Sequence, residues 1–113
     1  MPLTFNLPQG TVSFNLPLTA VRSLQTEVQD LLQQFKAAAT GEKPGQRSPL
    51  KSLEFRHTGT VLLEVFCNPN IYPSPFAAKV LLTIRDEQIR VTTEGELTQL
   101  IADLNTYAEQ LKA

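Results

Sequence analysis

At 113 residues, 42% hydrophobic and 19% charged, the chain has the size and apolar content of a single domain with its own core, which excludes a disordered chain. Its net charge of −1 gives no overall pull toward nucleic acid or anionic lipid. One cysteine excludes an internal disulfide framework, no apolar run approaches the ~20 residues that span a bilayer, and Met1-Pro2-Leu3-Thr4 offers no basic or apolar leader, so a soluble, cytoplasmic protein is expected.

Two extended segments open the chain and share the tetrad Phe-Asn-Leu-Pro, at Phe5–Pro8 and Phe14–Pro17, with turn residues Pro8-Gln9-Gly10 between them. Their prolines place this hairpin at an edge. Thr19 is the expected cap of a helix running to about Ala39, in which Val21, Leu24, Val28, Leu31, Phe35 and Ala38 recur at alternating spacings of three and four. Such a narrow stripe predicts a helix lying on a sheet. Its opposite side carries Gln25, Gln29, Gln33 and Gln34, polar but uncharged. Residues 41–49 hold almost nothing to bury and are expected to form a mobile loop.

Two hairpins follow, and parity constrains both. Leu53 and Phe55 alternate with Glu54 and Arg56, and Val61, Leu63 and Val65 mark the return strand. Odd positions must face odd positions, because a one-residue slip turns every side chain over. A three-residue loop His57-Thr58-Gly59, with Gly59 left-handed, meets that demand and pairs Phe55 with Val61 and Leu53 with Leu63. In the second hairpin Val80, Leu82 and Ile84 oppose Ile89 and Val91, so the loop must be even, and Asp86-Glu87 supplies it. Thr93 and Glu96 then read as a capping box for a last helix with the stripe Leu97, Leu100, Ile101, Leu104, Ala108 and Leu111. The expected fold is α+β, a single domain over 1–113: a four-strand antiparallel meander plus an N-terminal hairpin, with two amphipathic helices on one face, in the order ββ-α-ββββ-α.

The chemical inventory is thin. His57 and Cys67 could make a nucleophilic dyad only if they met, and the hairpin sets them far apart along a strand. No His or Cys pair has zinc-ligand spacing, and no glycine loop of phosphate-binding type follows a strand. Glu54 and Glu64 share a sheet face with Arg56 and read as solvated charges. Neither catalysis nor a cofactor is expected, and no stretch carries a recognisable family motif.

Two surfaces remain. The sheet face away from the helices would carry Glu54, Arg56, Leu62, Glu64, Phe66, Lys79, Leu81, Thr83, Arg85, Arg90 and Thr92, a mildly basic surface around a small apolar centre of Leu62, Phe66 and Leu81. Glu94, Glu96, Asp103 and Glu109 would make the helix side acidic. The loop Asn68–Phe76, stiffened by three prolines, carries Ile71, Tyr72 and Phe76, which either close one end of the core or form a docking point. Phe76 is expected in the core and Tyr72 at the surface. The function these features predict is a non-enzymatic protein-interaction module, such as an accessory or assembly factor or a small subunit, with another protein as partner. The contacts would be Ile71, Tyr72, Phe76, Leu62, Phe66, Leu81, Arg56, Arg85 and Arg90. Single-stranded RNA on the open sheet and a small molecule held between helices and sheet are the alternatives, and nucleic acid is disfavoured because Phe66 is the lone aromatic on that face. Self-association is expected to be a weak sheet-to-sheet dimer at most.

Overall fold

The computed structural model describes residues 2–41 and 50–112. Its elements are β1 (Leu3–Leu7), β2 (Gly10–Phe14), α1 (Leu18–Gly41), β3 (Leu53–His57), β4 (Leu62–Cys67), a short 3-10 turn (Pro69–Ile71), β5 (Lys79–Arg85), β6 (Arg90–Glu96) and α2 (Leu97–Lys112). This is the α+β order expected. The loop predicted over 41–49 lies outside the described residues, apart from Gly41, which ends α1.

Strands β3 to β6 form an antiparallel meander in chain order, and β1–β2 form a separate two-stranded sheet. The meander buries Leu53, Leu63, Val65, Cys67, Val80, Leu82 and Ile84 on one face. Helix α1 lays Val21, Leu24, Val28, Leu31 and Phe35 onto that face, and α2 adds Leu97, Leu100, Leu104, Tyr107 and Ala108. Sequence periodicity decided these stripes, because a side chain recurring every three or four residues has one shared surface to bury. The expected Ile101 and Leu111 are only half-buried at the rim, and Tyr107, outside the expected stripe, is inside.

The N-terminal hairpin lies on the same face as the helices. Strand β1 packs against α2 and against the end of β6, with Leu3 and Phe5 fully buried and Phe5 meeting Phe14 edge to face at 5.5 Å between ring centres. Gly95 on β6 makes room for this. A Cβ there would sit 3.2 Å from Leu7 Cδ2 and 3.6 Å from Leu82 Cδ1, so a larger residue would push the hairpin away.

Several local expectations are corrected. Pro17, not Thr19, precedes α1, and its carbonyl accepts the Val21 N–H at 3.1 Å. The first meander hairpin pairs Leu53 with Cys67, Phe55 with Val65 and His57 with Leu63, four positions away from the expected register. Odd residues still face odd residues, but parity leaves loop length free in steps of two. Gly59 is not left-handed, since Gly10 (φ 155°) is the one described residue with positive φ. Gly59 instead lets the chain pass His57, where a Cβ would lie 2.9 Å from Nε2. In the second hairpin Arg85 faces Arg90, so the loop spans Asp86–Ile89, and Ile89 is 62% exposed rather than paired inward. Asp86 builds that turn: its Oδ1 accepts the N–H groups of Gln88 (2.8 Å) and Ile89 (2.9 Å). The capping box at Thr93 and Glu96 does not form, because β6 pairs with β5 as far as Glu96 opposite Lys79.

Candidate functional surface

With both helices and the hairpin on one side, the other face of the meander is left bare at its Phe66–Leu81 end, whereas Thr83 in its centre is buried among its neighbours at 8% exposure. Strand register lays its side chains out in rows. Glu54, Phe66, Leu81 and Glu94 form one row across the strands, and Arg56, Glu64, Thr83 and Thr92 form the next. Leu62, Arg85 and Arg90 make a third, and Lys79 faces Glu96 at the opposite end. Phe66 and Leu81 are direct cross-strand neighbours, 41% and 47% exposed. Leu62 has the expected outward parity but is 6% exposed, beside the hairpin loops at its end of the sheet. It therefore adds little to the apolar centre.

The extension of β6 changes the electrostatics. Glu94 and Glu96, expected on the helix, belong to the sheet, so Glu54, Glu64, Glu94 and Glu96 oppose Arg56, Lys79, Arg85 and Arg90. The face is charge-balanced rather than basic. Asp103, expected on the acidic helix surface, is buried: its Oδ2 accepts the Asn6 N–H, and its Oδ1 accepts the Asn6 and Gln99 amides, each within 2.9 Å.

The proline-rich loop is divided differently from expectation. Pro69 is fully buried and Tyr72 packs half-buried against the core, whereas Phe76 is 83% and Ile71 67% exposed. Phe76 and Tyr72 have thus exchanged their expected places. The reason is local: Asn68 Oδ1 accepts the Asn70 N–H, the 3-10 turn tucks Pro69 inward, and the Tyr72 N–H closes on the Pro69 carbonyl. Asn70 in turn clasps the backbone of Leu50 through both amide atoms, at 2.7 and 2.8 Å. Gln34 does the same for Lys51, at 2.6 and 3.1 Å. These amide clasps carry no sequence signal beyond the presence of Asn and Gln. The loop joins β4 to β5 at the end of the sheet where Phe66 and Leu81 lie, so Ile71 and Phe76 are exposed at that same end.

The reactive groups are far from one another. His57 closes β3 opposite Leu63, whereas Cys67 sits opposite Leu53, four positions or ~13 Å along the hairpin. Burial pushes the Cys67 thiol up to about 11. No group of three or more His, Cys, Asp or Glu among the described residues could hold a metal ion. The groove between α1 and α2, bordered by Gln25, Gln29, Ile101 and Asn105, has about 240 Å³, below the roughly 300 Å³ at which small-molecule pockets begin. The gap between hairpin, sheet and α2 is about 10 Å³, room for about one water. Two wider hollows, of about 720 and 700 Å³, open at the hairpin-tip end of the sheet. Leu62, Arg85 and Asp86 line the first, where the Asp86 carboxylate is held by its own turn, and Leu16, Pro17, His57 and Val61 line the second. No described helix is long and apolar enough to cross a membrane. No protein-family model, curated protein or solved structure matches the chain.

Proposed function

We propose that the chain is a non-enzymatic protein-interaction module, an accessory or assembly factor or a small subunit, that docks a partner protein on the bare face of its sheet. The carrying observation is the one-sided architecture: α1, α2 and the β1–β2 hairpin all cover the same face, and the other displays Phe66 beside Leu81 with Ile71 and Phe76 at the same end. An apolar centre within a ring of balanced charges has the anatomy of a docking patch, where aromatic anchors supply energy and rim charges supply selectivity. The charge balance favours a protein over RNA, whose single strands need a basic groove and several stacking aromatics. A non-catalytic role is supported by the state of the polar groups, since Cys67 is buried, Asp86 holds a turn and Asp103 holds the hairpin. A cytoplasmic location belongs to the same proposal, supported by the single unpaired thiol.

The test is comparative affinity purification with wild type, Phe66→Glu, Leu81→Glu and Phe76→Ala. A partner retained by wild type and lost by the two sheet variants, whose circular dichroism is unchanged, supports docking on this face. Equal retention by all four proteins removes it.

A further inference from the structure

A second surface stands apart from the bare face. Strand β3 ends the meander, and among the described residues no strand lies beside its free side. Natural sheets blunt such an edge with proline, a bulge, a covering element or repelling charges, lysine above all. Leu53-Glu54-Phe55-Arg56-His57 has no proline, lysine or bulge and pairs with β4 without interruption. It carries two charges of opposite sign, Glu54 and Arg56, which do not repel a matching strand.

The strand is also self-complementary. A second β3 laid antiparallel with Phe55 opposite Phe55 sets Glu54 against Arg56 of the second copy, and Arg56 against its Glu54. Both charges lie on the same sheet face, both are exposed, and neither side chain holds a hydrogen bond or ion pair among the described residues. On the inner face Phe55 is only half-buried, although its neighbour Val65 is 1% exposed, and a strand flanks Phe55 on one side only. A second copy supplies all three missing complements at once: backbone partners, opposite charges and an aromatic neighbour. An unrelated strand would have to match this spacing by chance.

We infer that the β3 edge is a self-pairing surface through which two copies join their sheets, antiparallel about Phe55, into one continuous sheet. The two bare faces then lie side by side, free for the partner. The inference does not depend on that partner. A five-residue edge buries well under the roughly 1,200 Å² of a standard interface, so association on the order of 10–100 μM is expected.

Sedimentation of the full chain across that range tests it. Wild type dimerises. Glu54→Arg sets like charges opposite each other at both symmetric positions and weakens the dimer roughly tenfold. Arg56→Glu does the same, and the double exchange Glu54→Arg/Arg56→Glu restores wild-type affinity, because the swapped charges again meet their opposites. Leu81→Glu, on the bare face, leaves the dimer unchanged. Circular dichroism confirms that each exposed substitution folds. A wild-type monomer at ~1 mM, a dimer indifferent to Glu54→Arg, a double exchange no better than either single change, or a dimer lost with Leu81→Glu would each overturn edge pairing.

Discussion

The Asp103 carboxylate accepts both the backbone N–H of Asn6 and its side-chain amide, each at 2.8 Å. Asn6 belongs to the first Phe-Asn-Leu-Pro tetrad. The second tetrad is held by the same helix one turn later, where Tyr107 Oη donates to the Leu16 carbonyl at 2.9 Å and accepts the Leu16 N–H at 3.4 Å. The duplicated tetrads therefore serve architecture: two polar side chains of α2 pin both ends of the N-terminal hairpin to the helix layer and keep it off the bare sheet face.

Asp103→Ala leaves the Asn6 N–H and amide without their acceptor. Hydrogen bonds to a charged group contribute about 1.5–3 kcal/mol, so a loss of about 3 kcal/mol is expected in urea unfolding. Amide exchange should accelerate most in β1 and β2. Uniform acceleration across β3–β6 would show that the clasp supports the whole domain rather than the hairpin.

Tyr107→Phe keeps the ring and removes the hydroxyl that satisfies both backbone groups of Leu16. The expected cost is about 1–2 kcal/mol. A thermal midpoint unchanged within error would mean that water takes over the hydroxyl's place.

Asp86 is held below its ordinary value of 3.8 by the backbone N–H groups of Gln88 and Ile89. Because its folded pKa is depressed, the turn's contribution is present above about 4 and is lost as pH falls through the lower folded value. In an NMR titration the Gln88 and Ile89 amide shifts of wild type should move together with the Asp86 carboxyl, below 3.8. Asp86→Asn should lack that step.

The Cys67 thiol has its folded pKa raised from 9.0 to about 11 by burial. Below 9.0 both states are protonated and stability is indifferent to this group. Between 9.0 and about 11 the unfolded chain ionises and the folded chain does not, so stability falls with rising pH. Cys67→Ala should abolish that component of the alkaline slope. At pH 8 the native thiol should resist iodoacetamide, and it should react once urea exposes it.

The bare face was partly legible in advance. Alternation along β4 and β5 put Phe66 and Leu81 outward, and both are exposed. Leu62 shared their parity yet is covered, because parity assigns a face and not what folds over the end of a strand. Phe76 was expected inside and Tyr72 outside, and the structure reverses them, because the choice depended on the Asn68 turn that buries Pro69 and sets the chain's path.

Order and type of the elements, and the inward sides of α1, α2 and the meander, followed from the sequence alone, because the periods of two and 3.6 residues are properties of the local backbone. Register did not follow. A shift of an even number of residues preserves every face, so only the packed sheet selected Leu53 opposite Cys67 over Leu53 opposite Leu63. The boundary at Glu96 went the same way: Thr93 and Glu96 had good capping chemistry, but the ladder with β5 runs unbroken to Glu96 opposite Lys79 and takes that stretch of backbone into the sheet. Asp103 looked solvated from its neighbours, and it is buried because Asn6, 97 positions away, meets it only in the folded chain.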